Sequence, residues 1–485
     1  MLNRIISQAV PAAGTTRRGF LKLSAGAAGG LILGGALQPT AAAAQAGTDG
    51  LATPFVHIRP DNTVVVIVKH LDMGQGTATG LATLIADELD ADAAQVTTEF
   101  APANTGLYAN TLLGVQGTGG STAMPNSWQQ YREAGATARA MFVVAAAETW
   151  GVDPSDVTIS KGEISGGPNR ATLGDMATAA ARQGVPDSVT LKTPDQWVYI
   201  GKSFPRVDVA PKTQGATHMF GMDVAMDGLM YAVSLRSPRF GGVLVGLNEA
   251  EARAMPGVID VIRLPDRATV IAESTWQAIQ ARNALAAEWD FSNAENRGTE
   301  DLRAEYTALL DEDGIAFHSA AVSEAEEAKV VEADYFFPYL AHTPMEPIDV
   351  TVLFDGTEAA FWTGSQIQTL DQNIGAQVLG IDPGSVKIET LWGGGSFGRR
   401  AIYDSHYVAE AAMIAQAWLQ THGQARPIKL VWTREDDVRG GYYRPMHMHR
   451  VRAGLDAEGN ITSWKQRVVG QGIAIGTAFE QFMVN

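Results

Sequence analysis

Three glycine-rich segments each lie between a run typical of a strand and a run typical of a helix. They are Gly74-Gln75-Gly76-Thr77, Gly117-Thr118-Gly119-Gly120-Ser121 and Gly393-Gly394-Gly395-Ser396-Phe397-Gly398-Arg399-Arg400. Glycine lets backbone N–H groups approach an anion closely, and the N-terminus of a following helix adds a positive dipole. One such loop is a weak signal because glycine-rich turns are common. Three in one chain favour a ligand that carries phosphate.

Two familiar nucleotide-binding patterns fail on inspection. A dinucleotide-binding fingerprint would need a third glycine at position 79, but Gly74 and Gly76 are followed by Gly80. A phosphate-binding loop that ends in Gly201-Lys202-Ser203 would need glycine where Gln196 stands. A His-Glu-x-x-His zinc helix does not occur in the sequence either. The loops therefore indicate a phosphate-bearing ligand of another kind.

Composition removes several classes of site. The 485 residues include no cysteine, which excludes disulfides, thiolate zinc sites, thiol nucleophiles and cysteine-ligated iron–sulfur clusters in this chain. The formal net charge of −17 makes nucleic acid an unfavourable partner. With 46% apolar residues and a length typical of about three domains, the chain can bury sizeable cores.

The N-terminal segment has the pattern of an export signal. Thr15-Thr16-Arg17-Arg18-Gly19-Phe20-Leu21-Lys22 places two arginines before a run rich in Gly, Ala and Leu, and small residues suited to cleavage follow at 41–46. A membrane span is the alternative, but Lys22 and several glycines interrupt the apolar run. The string resembles a twin-arginine signal. This predicts export to the periplasm of a protein that folds, together with a cofactor, before transport.

Hydrophobic periodicity predicts an α+β chain in three blocks. Predicted strands cover residues 63–69, 258–263, 350–353, 359–363 and 386–391. Predicted helices cover residues 81–89, 125–150, 248–254, 275–287, 370–379 and 404–419. Asp227-Gly228, between residues 222–225 and 229–235, predicts a β-hairpin. His447 and His449 alternate on a predicted strand, and we interpret this pair as structural because no third ligand lies nearby in the sequence.

Five segments occur in an order typical of one family. They are Met-Gly-Gln-Gly-Thr at 73–77, Gly-Thr-Gly-Gly-Ser at 117–121, His-Thr-Pro-Met-Glu-Pro at 342–347, Ser-Gln at 365–366 and Gly-Gly-Ser-Phe-Gly-Arg-Arg at 394–400. Together they resemble the molybdopterin-binding large subunits of the xanthine dehydrogenase/aldehyde oxidase family, of the isoquinoline 1-oxidoreductase β-subunit type. Phe220-Gly-Met-Asp-Val and Leu235-Arg-Ser-Pro resemble that family's α/β-hammerhead domain.

The resemblance implies a division of the chain into five parts. These are a signal peptide at 1–46, an N-terminal molybdopterin-binding segment at 50–205, an α/β-hammerhead domain at 206–305, a connector at 306–329 and a molybdopterin-binding domain at 330–485. The last segment ends without a polar tail, and we expect the molybdopterin-binding domain to be incomplete.

Roles for individual residues follow from the resemblance alone. Gln366 would donate a hydrogen bond to an oxygen on molybdenum. The metal's oxo face and the pterin would be held by the backbone N–H groups of Gly394, Gly395, Ser396, Phe397 and Gly398, with Arg399 and Arg400 beside them. Gly74, Gln75, Gly76 and Thr77 would cradle the pterin and its phosphate, and Gly119, Gly120 and Ser121 would hold the nucleotide tail. Ser396 replaces the third glycine of the family's usual Gly-Gly-Gly-Phe-Gly segment.

The resemblance also implies the chemistry and the partners. The family's molybdenum is bound by the pterin, so no protein side chain would ligate it, and the cytosine dinucleotide form of the cofactor is expected. Water supplies the oxygen in the hydroxylation of a small-molecule substrate. A cysteine-free chain cannot carry an iron–sulfur relay, so electrons would leave through a small [2Fe–2S] subunit, with a cytochrome c as a candidate acceptor.

Two questions stay open at this point. The family's general-base glutamate lies in a Gly-x-Gly-Glu segment that does not occur here, and Gly162-Glu163 lies in the wrong block to replace it. The chain is therefore predicted to be either part of an active molybdenum hydroxylase or an inactive periplasmic binding protein. The substrate is expected to be an N-heteroaromatic compound or an aldehyde.

Overall fold

The computed structural model describes residues 51–216, 219–316, 319 and 327–473, so the predicted signal peptide at 1–46 lies outside the described residues. The strands are β1 Leu51–Ala52, β2 Val56–Ile58, β3 Val64–Val68, β4 Val96–Phe100, β5 Val157–Ser160, β6 Glu163–Gly166, β7 Asn169–Thr172, β8 Met230–Arg236, β9 Val243–Asn248, β10 Val258–Leu264, β11 Arg267–Ala272, β12 Ala286–Asp290, β13 Lys329–Phe337, β14 Leu340–Ala341, β15 Asp349–Phe354, β16 Ala359–Thr363, β17 Val386–Thr390, β18 Ile428–Val431, β19 Tyr443–Arg444, β20 His447–Leu455 and β21 Ile461–Gly470. The helices are α1 Thr77–Leu89, α2 Thr105–Tyr108, α3 Ala123–Trp150, α4 Leu173–Ala180, α5 Val209–Thr213, α6 Ala250–Ala254, α7 Thr275–Asn283, α8 Thr299–Leu309, α9 Gln368–Leu379, α10 His406–His422 and α11 Arg434–Arg439.

The chain forms two compact units, and each contains two separate stretches of sequence. Among the described residues, the first unit combines 51–232 with Pro344–Val431, and the second combines 233–343 with 432–473. These units draw on more than one of the predicted sequence blocks. The architecture is the predicted multi-domain α+β fold. The boundaries of the five predicted parts stay predictions.

The N-terminal part of the first unit packs two helices on a four-stranded sheet. The strands lie in the order β1-β2-β3-β4, and β3 and β4 run parallel because α1 connects them. The apolar face of α1, with Leu81 and Ile85, is buried against α3, which contributes Tyr131 and Phe142. The predictions of a strand near 63–69 and of helices near 81–89 and 125–150 are confirmed.

The remainder of the first unit is a second sheet that places the later site residues. Four strands lie in the order β18-β15-β16-β17, and β16 and β17 are parallel because α9 crosses between them. Helix α10 is buried along most of its length against this sheet and α9. Residues Met230–Ala232 of β8 pair in parallel with β18. The predicted strands and helices between 350 and 419 are confirmed.

The predicted hairpin around Asp227-Gly228 is wrong. Gly228 does turn the chain, with φ of 74°, but Gly221–Asp223 forms a short 3-10 helix instead of the first strand. The strand after the turn pairs with β18, and Met230 lies opposite Ile428. A local turn signal reports the turn, whereas the partner of a strand depends on residues far away in the sequence.

The predicted helix at 275–287 is shorter than expected. Helix α7 ends at Asn283, and β12 follows directly at Ala286–Asp290. In β12 the half-buried Ala287 and Trp289 alternate with exposed neighbours, and both pack on the core of the second unit. This alternation is the period of a strand, and it overrides the helical propensity of the alanines.

The second unit contains a mixed core and a three-stranded sheet. The core lies between β9–β12 on one side and the β10–β11 pair on the other, with α6 and α7 packed against it. Strands β13, β20 and β21 form the antiparallel sheet, and the imidazole rings of His447 and His449 on β20 are 5.9 Å apart. Within the described ranges, no group of three metal-ligating side chains is present and no helix is long and apolar enough to cross a membrane.

Candidate functional site

The first unit contains a cavity of about 430 Å³ between the first two glycine-rich loops. Its wall includes Gln366 from the segment between β16 and α9. The full lining consists of Met73, Gln75, Gly76, Thr77, Gly80, Thr118, Gly119, Ser121, Thr122, Ala123, Met124 and Gln366. A cavity of this volume is in the range of small-molecule and cofactor sites.

The first loop is shaped by a buried carboxylate. Asp72 follows β3 and accepts hydrogen bonds from the backbone N–H groups of Gly74 at 2.9 Å, Gly76 at 3.4 Å and Ala78 at 2.9 Å. Gly76 lies at the N-terminus of α1 with φ of 88°, a conformation that favours glycine. The predicted donation of the Gly74 and Gly76 N–H groups to a phosphate stays a prediction, and in this structure both groups already donate to Asp72.

The side chain of Gln75 supports the same loop from within. Its Nε2 donates to the carbonyl of Leu71 and to Oγ1 of Thr77, each at 2.9 Å, and its Oε1 accepts from the N–H of Met73 at 2.8 Å. Gln75 lines the cavity, but its amide is used to hold the loop. Its role in binding a pterin stays a prediction.

The second loop is held by neutral groups. His70 lies between the carbonyl of Gly117, 3.2 Å from Nδ1, and the hydroxyl of Ser127, 3.1 Å from Nε2. Burial, with a smaller contribution from the positive charge of Lys69, lowers the pKa of His70 to about 4. Because a carbonyl can only accept, the neutral imidazole donates from Nδ1 to Gly117 and accepts at Nε2 from Ser127.

Gln366 joins the second and third loops. Its backbone carbonyl accepts from the N–H of Thr118 at 2.9 Å, and its Nε2 donates to the carbonyl of Thr118 at 2.7 Å. Its Oε1 accepts from the hydroxyl of Ser396 at 2.5 Å. Gln366 is only 5% exposed, yet it lines the cavity. One of its two amide hydrogens is used by Thr118, which leaves the other for a ligand atom.

The third loop contacts the cavity wall through Ser396 and Gln366, and it is itself held in place by Glu346. A Cβ atom on Gly394 would lie 2.4 Å from the Cβ atom of Glu346, so only glycine fits there. Glu346 accepts from the N–H of Gly394 at 2.8 Å and from the guanidinium of Arg400 at 2.8 Å. Gly395 and Gly398 have φ of 94° and 99°, which bend the loop twice. Phe397 between them is 70% exposed.

The side chains of the arginine pair are buried in the first unit. Arg400 donates to Glu346, and Arg399 lies 2.8 Å from Nε2 of His406. Burial, together with the nearby positive charge of Arg399, lowers the pKa of His406 to about 4. Neither arginine is among the residues that line the cavity. Their predicted contribution to cofactor binding stays a prediction, and in this structure both guanidinium groups contact protein groups.

Buried acids surround the arginine pair. Burial raises the pKa of Asp349 well above its usual range and the neighbouring Glu346 raises it further, whereas Arg400, 3.9 Å from Asp349, lowers it. Burial also raises the pKa of Asp371 to about 6, although Asp371 accepts hydrogen bonds from Ser365 at 2.5 Å and from Tyr407 at 2.9 Å. This side of the third loop is therefore an ionic interior and not an open ligand surface.

Ser396 could also be read as a nucleophile, because residues 394–398 match the letters Gly-x-Ser-x-Gly. The geometry rejects that reading. The hydroxyl of Ser396 donates to Gln366 and accepts from the N–H of Arg400 at 3.1 Å. A nucleophile elbow needs a basic partner for the serine hydroxyl, and an amide oxygen is a poor base. Ser396 supports the wall residue Gln366 from outside the lining.

The structure brings some of the predicted site residues together and separates others. The cavity wall contains Gln75, Gly76, Thr77, Gly119, Ser121 and Gln366. Ser396 contacts the wall through Gln366, while Gly74, Gly120, Gly394, Gly395, Phe397, Gly398, Arg399 and Arg400 lie outside the lining.

Three residues that shape the site were not found from the sequence. Asp72 and Glu346 hold the first and third loops, and Arg206 places its guanidinium 3.4 Å from where a Cβ atom of Gly76 would be. Nε and Nη2 of Arg206 both donate to Asp208 at 2.8 Å. A useful signal for Glu346 is its position in the 342–347 segment, since an acid inside an apolar, proline-flanked run needs a partner such as the Arg399-Arg400 pair.

The cavity fits a ligand with anionic and pterin-like polar groups. The helices α1 and α3 both begin at its wall; Asp72 already accepts from the N-terminus of α1, whereas α3 has no acidic residue in its first turn. A Cβ atom on Gly119 would meet no protein atom within 4 Å, so the backbone there is open to a ligand. Helix N-termini and bare backbone N–H groups suit phosphate, and Gln366 offers a donor.

Comparison with known proteins also indicates a molybdopterin ligand. Two families with the description "Molybdopterin cofactor-binding domain" match the chain, one over residues 15–235 and the other over residues 312–484. The chain is 27% identical over 505 residues to "Membrane-bound aldehyde dehydrogenase [pyrroloquinoline-quinone]" of Gluconacetobacter polyoxogenes, covering 97% of this chain and 62% of that protein. It is 27% identical over 495 residues to "Isoquinoline 1-oxidoreductase subunit beta" of Brevundimonas diminuta, covering 91% of this chain and 62% of that protein.

Among solved structures, an aldehyde oxidoreductase from Desulfovibrio gigas aligns with a TM-score of 0.41 at 17% identity, covering 61% of this chain and 38% of that chain. The chain spans 62% of the length of the two curated relatives described above.

Proposed function

The chain belongs to the xanthine dehydrogenase/aldehyde oxidase family of molybdopterin-binding subunits, and from this premise we propose that it is the cofactor-binding portion of a molybdenum-dependent oxidoreductase. The observation that supports this most is the position of Gln366. It lines a cavity between two glycine-rich loops and is hydrogen-bonded to the third. When bound, molybdenum–molybdopterin supplies two-electron oxidation of a substrate with water as the oxygen source.

The chain's own residues bind and orient this cofactor. The N-terminus of α3 and the open backbone at Gly119 receive its phosphate and nucleotide groups. The second amide hydrogen of Gln366 is donated to an acceptor atom at the metal end. The cytosine dinucleotide form is the form we propose, since the cavity wall includes the second loop as well as the first.

Partners and location are further parts of the proposal. Electrons leave through a small [2Fe–2S] subunit, because this sequence contains no cysteine to ligate a cluster. A cytochrome c is a candidate acceptor beyond that subunit. The twin-arginine pattern at 15–22 supports export to the periplasm with the cofactor already bound. An N-heteroaromatic compound or an aldehyde is the substrate class, as the names of the relatives suggest.

Cofactor content tests the proposal directly. The full chain is expressed with a [2Fe–2S] subunit of the same family, and molybdenum and released cytidine nucleotide are measured per chain. Gly119→Val should remove most of both, because a side chain there points into open cavity and requires no left-handed backbone. Gly184→Val is the matched control, since it too meets no protein atom within 4 Å and lies on the exposed surface. Wild-type protein without molybdenum would refute the proposal.

A second candidate is a ligand-binding protein without turnover. The observation that favours it is the chemistry of the wall, which in the described part of the chain contains no carboxylate that could take a proton. Molybdenum-loaded protein is mixed with aldehydes and N-heteroaromatic compounds and an artificial electron acceptor. Reduction of the acceptor excludes this candidate, and loaded protein that reduces nothing supports it.

A further inference from the structure

We propose that Ser396 is a positioning residue that sets the orientation of the Gln366 carboxamide and thereby makes this wall of the cavity a hydrogen-bond donor. The inference rests on the proposed function only where it identifies the ligand as the cofactor. The orientation itself follows from contacts within this chain.

The orientation follows from the partners on either side. On one side is the carbonyl of Thr118, which can only accept, so Nε2 of Gln366 must face it. On the other side is the hydroxyl of Ser396, whose oxygen already accepts from the N–H of Arg400. Its one hydrogen therefore goes to Oε1 of Gln366, 2.5 Å away. Both contacts require the same orientation of the amide, so the positions of its oxygen and nitrogen atoms are determined by their partners.

The reversed amide is strongly disfavoured. It would place Oε1 of Gln366 against the carbonyl of Thr118, so that two acceptors would face each other. It would also leave the hydroxyl hydrogen of Ser396 without its acceptor. Ser396 is 1% exposed and Gln366 is 5% exposed, so solvent has little access to compensate either loss.

The orientation has a consequence for the ligand. With Nε2 turned toward Thr118 and Oε1 turned toward Ser396, the second N–H of Gln366 is the donor that this side chain can offer to the cavity. The ligand atom beside it must therefore be an acceptor, such as an oxo, a carbonyl or an unprotonated ring nitrogen. A glycine at position 396 would remove the donor to Oε1, so the amide would be held by the Thr118 carbonyl alone and its orientation would be less firmly fixed. The serine therefore reinforces the orientation in which this wall presents a hydrogen-bond donor.

The test measures the Gln366 amide itself, using the full chain labelled with ¹⁵N. The side-chain NH₂ resonances of Gln366 are assigned by their loss in Gln366→Met. We expect two separate, slowly rotating protons in the wild type. In Ser396→Ala we expect their shifts to move and their rotation to speed up at least tenfold, because one of the two hydrogen bonds that fix the amide is lost. Ser396→Cys, which keeps a weak donor, should restore part of the wild-type signal.

Ser234→Ala provides the control. Ser234 is also a buried hydroxyl that pairs with a neutral partner, Thr269 at 2.8 Å, and its removal should leave the Gln366 resonances in place. Unchanged Gln366 resonances in Ser396→Ala would overturn the inference. Equal disturbance by both serine variants would overturn it as well, since a general loosening would then explain the effect.

A second measurement separates this inference from the proposed function. Molybdenum content and the electron paramagnetic resonance spectrum of the partly reduced protein are recorded for wild type, Ser396→Ala and Gln366→Met. If Ser396 orients the donor, Ser396→Ala keeps molybdenum within about twofold but shifts the spectrum toward that of Gln366→Met. A spectrum identical to wild type would overturn the link to the ligand. If wild type holds no molybdenum, the proposed function fails, while the amide resonances still decide the orientation.

Discussion

The first and third glycine-rich loops both close around a buried carboxylate, but the two carboxylates have different partners. Asp72 accepts hydrogen bonds from the backbone at Gly74 and Ala78, at the start of α1. Glu346 accepts from the backbone of Gly394 and also from the guanidinium of Arg400. The same acid–glycine arrangement thus compensates a helix dipole in one loop and a full positive charge in the other.

This difference indicates how strongly each loop depends on its acid. A backbone dipole left without its carboxylate can still be solvated or find another acceptor, at modest cost. A buried guanidinium left without its carboxylate has no comparable alternative. The loop nearest the open cavity should therefore tolerate change better than the loop behind Gln366.

Neutralising Glu346 should have the largest effect on stability. We expect Glu346→Gln to lower the free energy of unfolding by about 3 kcal/mol, because it leaves Arg400 buried with incomplete compensation. Chemical denaturation measures this. Glu163→Gln is the control, since Glu163 forms a long, exposed contact with Arg170 and should change stability by less than about 0.5 kcal/mol. A loss of similar size in both variants would contradict the difference between the loops.

Acid should destabilise the second loop, which is held by the neutral His70. Its pKa is about 4 in the folded chain and 6.5 in the reference state, so the unfolded chain binds a proton first as the pH falls. The stabilisation is therefore complete above pH 6.5 and is lost toward pH 4, by about 3 kcal/mol for one histidine.

His70→Asn tests this assignment by comparing unfolding free energies at pH 7 and pH 5. The variant should lose less stability on acidification than wild type, although not zero, since His406 has a similarly lowered pKa. Asp371 opposes the trend in both proteins, because its pKa of about 6 favours the folded state as the pH falls from 6 toward 3.8. If His70→Asn and wild type lost the same unfolding free energy between pH 7 and pH 5, the pKa of His70 would not be lowered by folding.

Removing the charge of Asp72 should have a smaller effect. We expect Asp72→Asn to cost about 1–2 kcal/mol, because an amide cannot accept at both of the positions that now bind Gly74 and Ala78. Hydrogen exchange at these two amides should become faster, while Asp156→Asn on the exposed surface should leave it unchanged. A cost above that of Glu346→Gln would reverse the ranking of the two loops.

The smallest effect is expected at the tip of the third loop. Phe397 is exposed and has φ of 57°, which is unfavourable for a bulky residue and acceptable for asparagine. Phe397→Asn should raise the free energy of unfolding by roughly 0.5 kcal/mol in thermal or chemical denaturation. Ser121 in the second loop has nearly the same φ, 56°, so Ser121→Asn serves as the comparison for Phe397→Asn at the same backbone angle. A clear loss of stability would indicate that the Phe397 ring packs on something in solution.

Much of the secondary structure could be predicted because it depends on local periodicity. The strand at Val64–Val68 and the helix at Ala123–Trp150 each satisfy their pattern with neighbouring residues. Asp227-Gly228 shows where this fails. The turn is present, but the strand that follows it pairs with Ile428–Val431, and nothing near residue 228 carries that information.

The candidate site could be predicted in outline and not in its contacts. Gln366 and the glycine loops carry strong sequence signals, and the cavity brings Gln366 together with two of the loops. The use of Gln75 to hold its own loop was not predictable, because a glutamine in a glycine-rich turn looks the same whether it faces a ligand or the backbone. Glu346 was missed because its partner, Arg400, is more than fifty residues away.

Gln366 follows Thr118 by 248 residues in the chain, so the two residues emerge at different times during synthesis. The first two loops are complete once α3 has formed, yet the wall residue that joins them to the third loop emerges from the ribosome much later. A nascent chain that has reached only residue 343 has two loops that could bind an anion and no glutamine to select its other end. A ligand can therefore be held in its final orientation only after residues 366–400 have emerged and folded against the first two loops.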